Sequence, residues 1–213
     1  MATVIAVEEK DLVSIAKCHA KAFPDSLTSK MGIHYLSKVF SWYLSTDKAF
    51  LFFLKENNQV VAYAGGILVD GTLAHGSASS LIQHTFNDAI IALIIRPWLL
   101  LHRDFISRYA LLTRNIVTRL RNKFRKTEIR STVAPKEPHV GLVVIGVDPA
   151  FQGKGFGAMM LQEFERQTLQ YGFKKMILTV KTDNQKAIRL YSRNGWFASR
   201  AVGKSTLMEK RLN

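Results

Sequence analysis

The sequence predicts a mixed α/β (α+β) fold that contains both parallel and antiparallel strand pairs. Three observations carry this. The run "AFLFFLKENNQVVAYAGGILVDG" over 49–71 holds two apolar, β-prone segments about Asn57-Asn58, the signature of a hairpin. The run "HVGLVVIGV" over 139–147 is continuously apolar and β-branched, as expected of a strand buried on both faces. After it, a glycine-rich turn, a helix to about Gln170, a second buried strand at 174–180 and a short helix at 183–195 alternate in order.

The remaining elements follow from local pattern. Residues 3–7 read as a short strand. Residues 9–22 read as a helix, with Leu12, Ile15, Ala16, His19 and Ala20 at helical spacing. "FPDSLTSKMG" (23–32) is loop-like in composition, and 33–45 return to a helical period. Asp183 or Asn184 can cap the last helix and Gly195 can end it. The chain closes as a hairpin about Gly203.

With 213 residues the chain suits one domain, 1–213, with a helical insert at about 72–135 that breaks the alternation. Its one cysteine, Cys18, excludes an internal disulfide framework and a cysteine-rich zinc site, and reads as a buried structural thiol. The N-terminus lacks the pattern of a secretory signal. The greasiest stretch, Ala89 to Leu101, is interrupted by Arg96-Pro97 and falls short of the roughly 20 residues that span a bilayer. The expected location is cytoplasmic, either soluble or peripheral at a membrane. A net charge of +14 favours an acidic partner: a phosphorylated ligand, nucleic acid or an anionic membrane.

The decisive stretch is "DPAFQGKGFGAMM", Asp148 to Met160, which looks built for phosphate. A Walker A loop is excluded: Gly155 stands where Ser or Thr must ligate magnesium, and Asp148 where its first glycine belongs. The dinucleotide fingerprint is met by Gly153, Gly155 and Ala158, but no acid lies between Gln170 and Thr182 to hold a ribose. A longer string fits better: a buried strand ends "VIGVDP", and Gln152-x-x-Gly155-x-Gly157 then opens a helix. This resembles the signature loop of the GNAT superfamily of acetyl-CoA-dependent N-acetyltransferases. Further on, Asn184, Ala187, Leu190, Tyr191 and Gly195 fall at the spacings of the family's next block, with Trp196 in place of Phe. The resemblance is close over Val143 to Trp196 and rests on element order alone over the first 70 residues.

The resemblance implies a mostly antiparallel central sheet with one parallel pair, 143–147 and 176–180, splayed around acetyl-CoA, with flanking helices. It implies that the backbone of Ile145 and Val147 pairs with the pantetheine amides and that the N–H of Val147 supports the thioester oxygen. It places the pyrophosphate on Gln152, Gly153, Lys154, Gly155, Phe156, Gly157 and Ala158, the pantetheine arm by Asn184 and Ala187, and Tyr191 near the sulfur as hydrogen-bond or proton donor. Physical chemistry supports the loop independently, because a helix N-terminus presents free N–H groups and the positive end of a dipole. No metal is implied.

The general base is not legible: "GLVVIGV" carries no acid, and His139, Glu137, His75, His84 and Asp25 stand beside a water relay as candidates. From Asp88 to Arg130 there are ten Lys/Arg against three Asp/Glu. Phe105, Ile106, Tyr109, Leu112, Ile116, Val117, Leu120 and Phe124 share one helical face there. Such an insert either packs on the domain and solvates its charges, or draws an anionic acceptor or an anionic membrane surface. Nucleic acid is disfavoured, because no stacking platform interleaves the charges. The reading is acetyl transfer to a primary amine of a small molecule, such as an anionic amino sugar. The alternatives are a longer acyl donor, or an acyl-CoA sensor or surface module without turnover. Oligomeric state is not legible.

Overall fold

A computed structural model describes residues 3–71, 77–102, 106 and 137–213, with the backbone alone for 77–79. Seven strands form one sheet in the order β1-β2-β3-β4-β5-β7-β6. They are β1 (Thr3–Ala6), β2 (Ala49–Glu56), β3 (Gln59–Val69), β4 (His139–Val147), β5 (Lys175–Lys181), β6 (Phe197–Val202) and β7 (Ser205–Arg211). Among the described strands, only β4 and β5 run parallel. The helices are α1 (Leu12–Ala22), the one-turn α2 (Leu27–Lys30), α3 (Ile33–Ser41), α4 (Ser77–Ile95), α5 (Phe156–Gln170) and α6 (Gln185–Arg193).

Period-two patterning distributes β2 between two cores. Phe50, Phe52 and Leu54 face one way, onto Phe156, Met160 and Phe164 of α5. Ala49, Leu51 and Phe53 face the other, onto Ile15 and Ala16 of α1 and Leu36 and Phe40 of α3. Asn57 and Asn58 both take positive φ, which a two-residue turn of the type matched to strand twist requires.

The sheet departs from regularity at one place that matters. Gly65 opposes Val144 and Gly66 opposes Leu142, so Val143 is an extra residue in β4 without a partner on β3. Two consequences follow. The sides of β4 exchange: Val140 and Leu142 point into the α5 core before the bulge, and Ile145 and Val147 do so after it. Pairing with β5 also stops, since the last matched pair is Leu142 with Leu178. β5 continues along β7 to Lys181, and the two parallel strands separate.

Local details differ from the sequence reading in four ways. The 23–32 stretch contains α2, nucleated by Ser26, whose Oγ accepts the Ser29 N–H at 3.2 Å. Both the 9–22 and 33–45 helices carry one tighter turn, Glu9–Asp11 at the start of the first and Trp42–Leu44 at the end of the second. β4 is not buried throughout, because the bulge turns Val143 outward to 51% exposure. β5 buries Met176, Leu178 and Val180 but exposes Thr179 and Lys181, so it is covered on one face rather than both.

Within 72–135, α4 and a tight turn at Pro97–Leu101 are described. The apolar face expected from Phe105 to Phe124 lies outside the described residues, apart from Ile106.

A Cβ at Gly66 would lie 2.6 Å from the Phe164 ring and 2.8 Å from the Phe50 ring. Gly66→Ala is therefore expected to destabilise the fold by about 1–3 kcal/mol, because two packed rings of the α5 core must give way. Urea unfolding checks this: the midpoint should fall at unchanged slope, and an unchanged midpoint would mean that α5 packs loosely on β3.

Candidate active site

The site is built on the half of β4 that lies beyond the bulge. The Asp148 N–H donates to the Val61 carbonyl at 2.8 Å, so Asp148 and Val61 form a hydrogen-bonded pair. By alternation, Val147 opposite Ala62 and Ile145 opposite Ala64 occupy non-hydrogen-bonded positions. Their N–H and C=O groups point away from β3, toward the side that β5 has left. Gln152 takes up one of them, donating from Nε2 to the Val147 carbonyl at 3.2 Å, and Lys186 Nζ donates to Gln152 Oε1 at 2.5 Å.

The turn that follows is held from below by Asp148. Its side chain is buried and accepts the Ala150 N–H at 3.1 Å, Lys21 Nζ at 2.9 Å and Gln59 Nε2 at 3.4 Å. Gly153 and Gly155 take φ of +83° and +85°, a region that side chains strain to reach. Gly155 caps α5, and its carbonyl accepts the N–H groups of Ala158 and Met159 at 3.0 and 3.1 Å. The N–H groups from Gly153 to Gly157 have no acceptor among the described residues. Gly157 serves a different purpose. Its Cβ would meet Leu190 at 3.1 Å, so the small residue lets α5 approach α6.

These elements enclose a cleft of about 720 Å³. Asn184 caps α6, accepting the Ala187 N–H at 3.1 Å. From α6, Lys186, Arg189 and Arg193 line the cleft, and among the described residues no acidic side chain does. Lys154 stands 4.7 Å over the Phe151 ring at the same mouth. A cleft with free amides, four nearby cations and no acid among its described lining suits a phosphorylated ligand.

Tyr191 lines the cleft from α6 and is 8% exposed, its ring 6.1 Å from that of Trp196. Burial pushes its hydroxyl up to about 12, so the phenol, already neutral at neutral pH, stays protonated well into the alkaline range. Among the described residues that hydroxyl has no hydrogen-bond partner.

The opposite wall is formed by Ala22 and Phe23 at the end of α1. Behind Phe23, His19 Nδ1 lies 2.5 Å from the Tyr63 hydroxyl. Tyr63 is wholly buried, so its O–H donates to Nδ1 and the ring proton sits on Nε2, 3.5 Å from Thr28 Oγ1. Gly146 belongs to this arrangement, because a Cβ there would fall within 2.6–2.8 Å of the Tyr63 ring and hydroxyl.

The structure thus brings Ile145, Val147, Gln152, Gly153, Gly155, Phe156, Gly157, Ala158, Asn184, Ala187 and Tyr191 to one cleft, with Lys154 at its edge. Four of the five base candidates lie elsewhere. Glu137 pairs with Lys175 and Arg211, His139 contacts the Glu137 carbonyl, His84 contacts Ser41 and Asp25 pairs with Lys30. His75 lies outside the described residues. Sequence reading missed Lys186, Arg189 and Arg193, although their spacing of three and four marks one helical face. It also missed the His19–Tyr63 pair, whose 44-residue separation leaves no local signal.

Residues 118–196 match the acetyltransferase (GNAT) family, a stretch that includes β4, the glycine turn, α5, β5 and α6. Over that stretch, which is less than half of the chain, the sequence is similar to this family. The fold agrees. The PaiA N-acetyltransferase from Thermoplasma acidophilum in complex with coenzyme A superposes with a TM-score of 0.60 at 10% identity, covering 99% of each chain. The ribosomal-protein-S18-alanine N-acetyltransferase from Escherichia coli superposes at 0.56 and 16% identity, covering 100% of this chain and 95% of that one. A mycothiol acetyltransferase from Mycobacteroides abscessus is 38% identical over 61 residues, 28% of this chain. The match spans 21% of that relative's length.

Burial lowers the His19 imidazole from 6.5 to about 4. Between those values the unfolded chain takes up a proton that the folded chain refuses. Stability is therefore full above pH 6.5 and declines as pH falls toward 4, by about 3 kcal/mol for the whole displacement. His19→Gln should flatten this part of the pH profile in denaturant titrations; an equal slope in both proteins would show that His19 is solvated.

Proposed function

We propose that the chain moves an acetyl group from acetyl-CoA to a primary amine of a small-molecule acceptor, by direct attack while both are bound. One observation carries this. The outward N–H groups of Ile145 and Val147 run directly into the row of unengaged N–H groups from Gly153 to Gly157, along a cleft lined by cations. That is an extended hydrogen-bonding edge for an amide-bearing arm, followed by an anion site for its pyrophosphate. Acetyl-CoA, when bound, supplies the activated thioester. The family match over 118–196 and the naming of the relatives for acetyl transfer support the reading.

The chain's own groups then have distinct tasks. Val147 N–H donates to the thioester oxygen where negative charge grows as the amine attacks, an effect of several kcal/mol in a dry site. Gln152 keeps the Val147 peptide oriented by holding its carbonyl. The backbone of Gly153 to Ala158 and Lys154 hold the pyrophosphate, and Asn184 and Ala187 flank the arm. Tyr191, neutral and unpartnered, donates its proton or a hydrogen bond to the departing sulfur. Ala22 and Phe23 border the acceptor side. The cations of α6 and the net charge of +14 favour an acceptor that is itself anionic, such as an amino sugar on a phosphate-bearing carrier.

Calorimetric titration tests the donor. Acetyl-CoA should bind in the micromolar range while ATP and NADH do not, and absence of acetyl-CoA binding would overturn the reading. Tyr191→Phe should lower turnover at least about tenfold while the acetyl-CoA dissociation constant stays put. Unchanged turnover would reduce Tyr191 to a packing residue.

A further inference from the structure

Eighteen large apolar side chains are exposed among the described residues, and ten of them fall between Ile82 and Ile106. α4 is the source. Its inner side packs Ala92, with Leu93 and Ala89, against Met31, Leu27 and Tyr35, and Leu99 of the following turn joins them. Its outer side carries Phe86, Ile90, Ile91, Ile94 and Ile95 at 56%, 42%, 53%, 72% and 62% exposure. Trp98 and Leu101 of the Pro97–Leu101 turn continue the patch at 63% and 77%. A helix that is apolar on both sides requires cover on both sides. A contiguous patch of this kind marks an interaction surface rather than scattered surface residues.

The charge beside the patch identifies the cover. At its C-terminal end Lys30, Arg96 and His102 line a pocket of about 360 Å³ together with Trp98 and Leu101. Arg96 is held in place by donation to the Met31 carbonyl at 2.7 Å. The one acid among the described residues of α4, Asp88, is paired with His34 at 3.2 Å. In sequence, the next thirty residues, 107–136, carry nine Lys/Arg and a single Glu. A second copy of this chain would bring +14 against +14. An anionic bilayer offers both an apolar layer and the opposite charge. No described helix is long and apolar enough to cross a membrane, so the contact lies in the surface plane.

We propose that the outer face of α4 and the Pro97–Leu101 turn dock on an anionic phospholipid surface. Ile90, Ile94, Ile95, Trp98 and Leu101 enter the acyl boundary, and Lys30, Arg96 and His102 meet headgroup phosphates. This would place the enzyme where a lipid-carried acceptor is presented, yet the docking is independent of the acetyl-transfer reading.

The test uses the full chain and vesicles, without any turnover assay. Trp42 and Trp196 are buried at 4% and 2% exposure, so a shift in tryptophan emission reports Trp98. With vesicles of phosphatidylcholine containing about 30% phosphatidylserine, the protein should sediment and its emission should move to the blue. Pure phosphatidylcholine or high salt should weaken binding at least about tenfold. Ile90→Glu/Ile94→Glu should lower the bound fraction by a similar factor while far-UV circular dichroism and cooperative unfolding stay unchanged. Trp98→Phe should keep sedimentation and lose the emission shift, confirming the reporter. No sedimentation at low salt would overturn the proposal. So would blue-shifted Trp98 emission without vesicles, which would mean that the face is covered by the chain itself. Concentration-dependent dimerisation without lipid binding would assign the face to a second copy and equally overturn it.

Discussion

A single extra residue in β4 opens the cleft between β4 and β5. Val143 has no partner on β3, and from that point β4 keeps its bonds to β3 while β5 follows β7. A regular parallel pair would satisfy the N–H and C=O groups of Ile145 and Val147 internally. The bulge leaves them facing a cleft, and it also exchanges the faces of the strand, so Ile145 and Val147 join the α5 core while Gly146 meets Tyr63. Gly65 and Gly66 stand opposite, where rings from Tyr43, Phe50 and Phe164 press against the sheet and leave no space for side chains.

The turn that continues this edge is shaped by backbone. Gly153 and Gly155 supply left-handed conformations, and the free end of α5 supplies N–H groups and the positive end of its dipole. Side chains tune this frame rather than create it. Asp148 ties the turn to Lys21 of α1 and Gln59 of β3, coupling the glycine-turn side of the cleft to the helix that forms its other wall. Lys186 reaches back to Gln152, so α6 and the glycine turn share one hydrogen-bonded seam. The cations lie on α6 and at Lys154, and the neutral phenol of Tyr191 lies deeper, in a setting dry enough to keep its proton.

α4 contrasts with the rest of the molecule. α1, α3 and α5 each press one apolar face onto the sheet and solvate the other. α4 is apolar on its outer side too, and around Ala92 its inner contacts are to α2, α3 and the following turn. The cleft and this face are different kinds of surface: one is polar backbone edged by cations, the other aliphatic and aromatic.

The sequence by itself determined what is local. Asn57-Asn58 marks a turn because few residues tolerate its φ, Asn184 marks a helix start because its side chain can cap, and Gln152-x-x-Gly155-x-Gly157 after an apolar strand marks a tight turn into a helix because glycine reaches the left-handed conformation needed there. Order and type of most elements were legible for the same reason, since hydrophobic period is a property of neighbours in the chain. What joins distant residues was left to tertiary structure. Nothing near His19 announces Tyr63, and nothing in "GLVVIGV" says that Val143 will be left unpaired and turn outward, because a bulge is defined by the register of the partner strand. Burial of β5 on one face only, the Lys186–Gln152 bond and the bare outer side of α4 likewise depend on which element lies alongside. Periodicity tells a residue which way it points; only packing decides what it meets there.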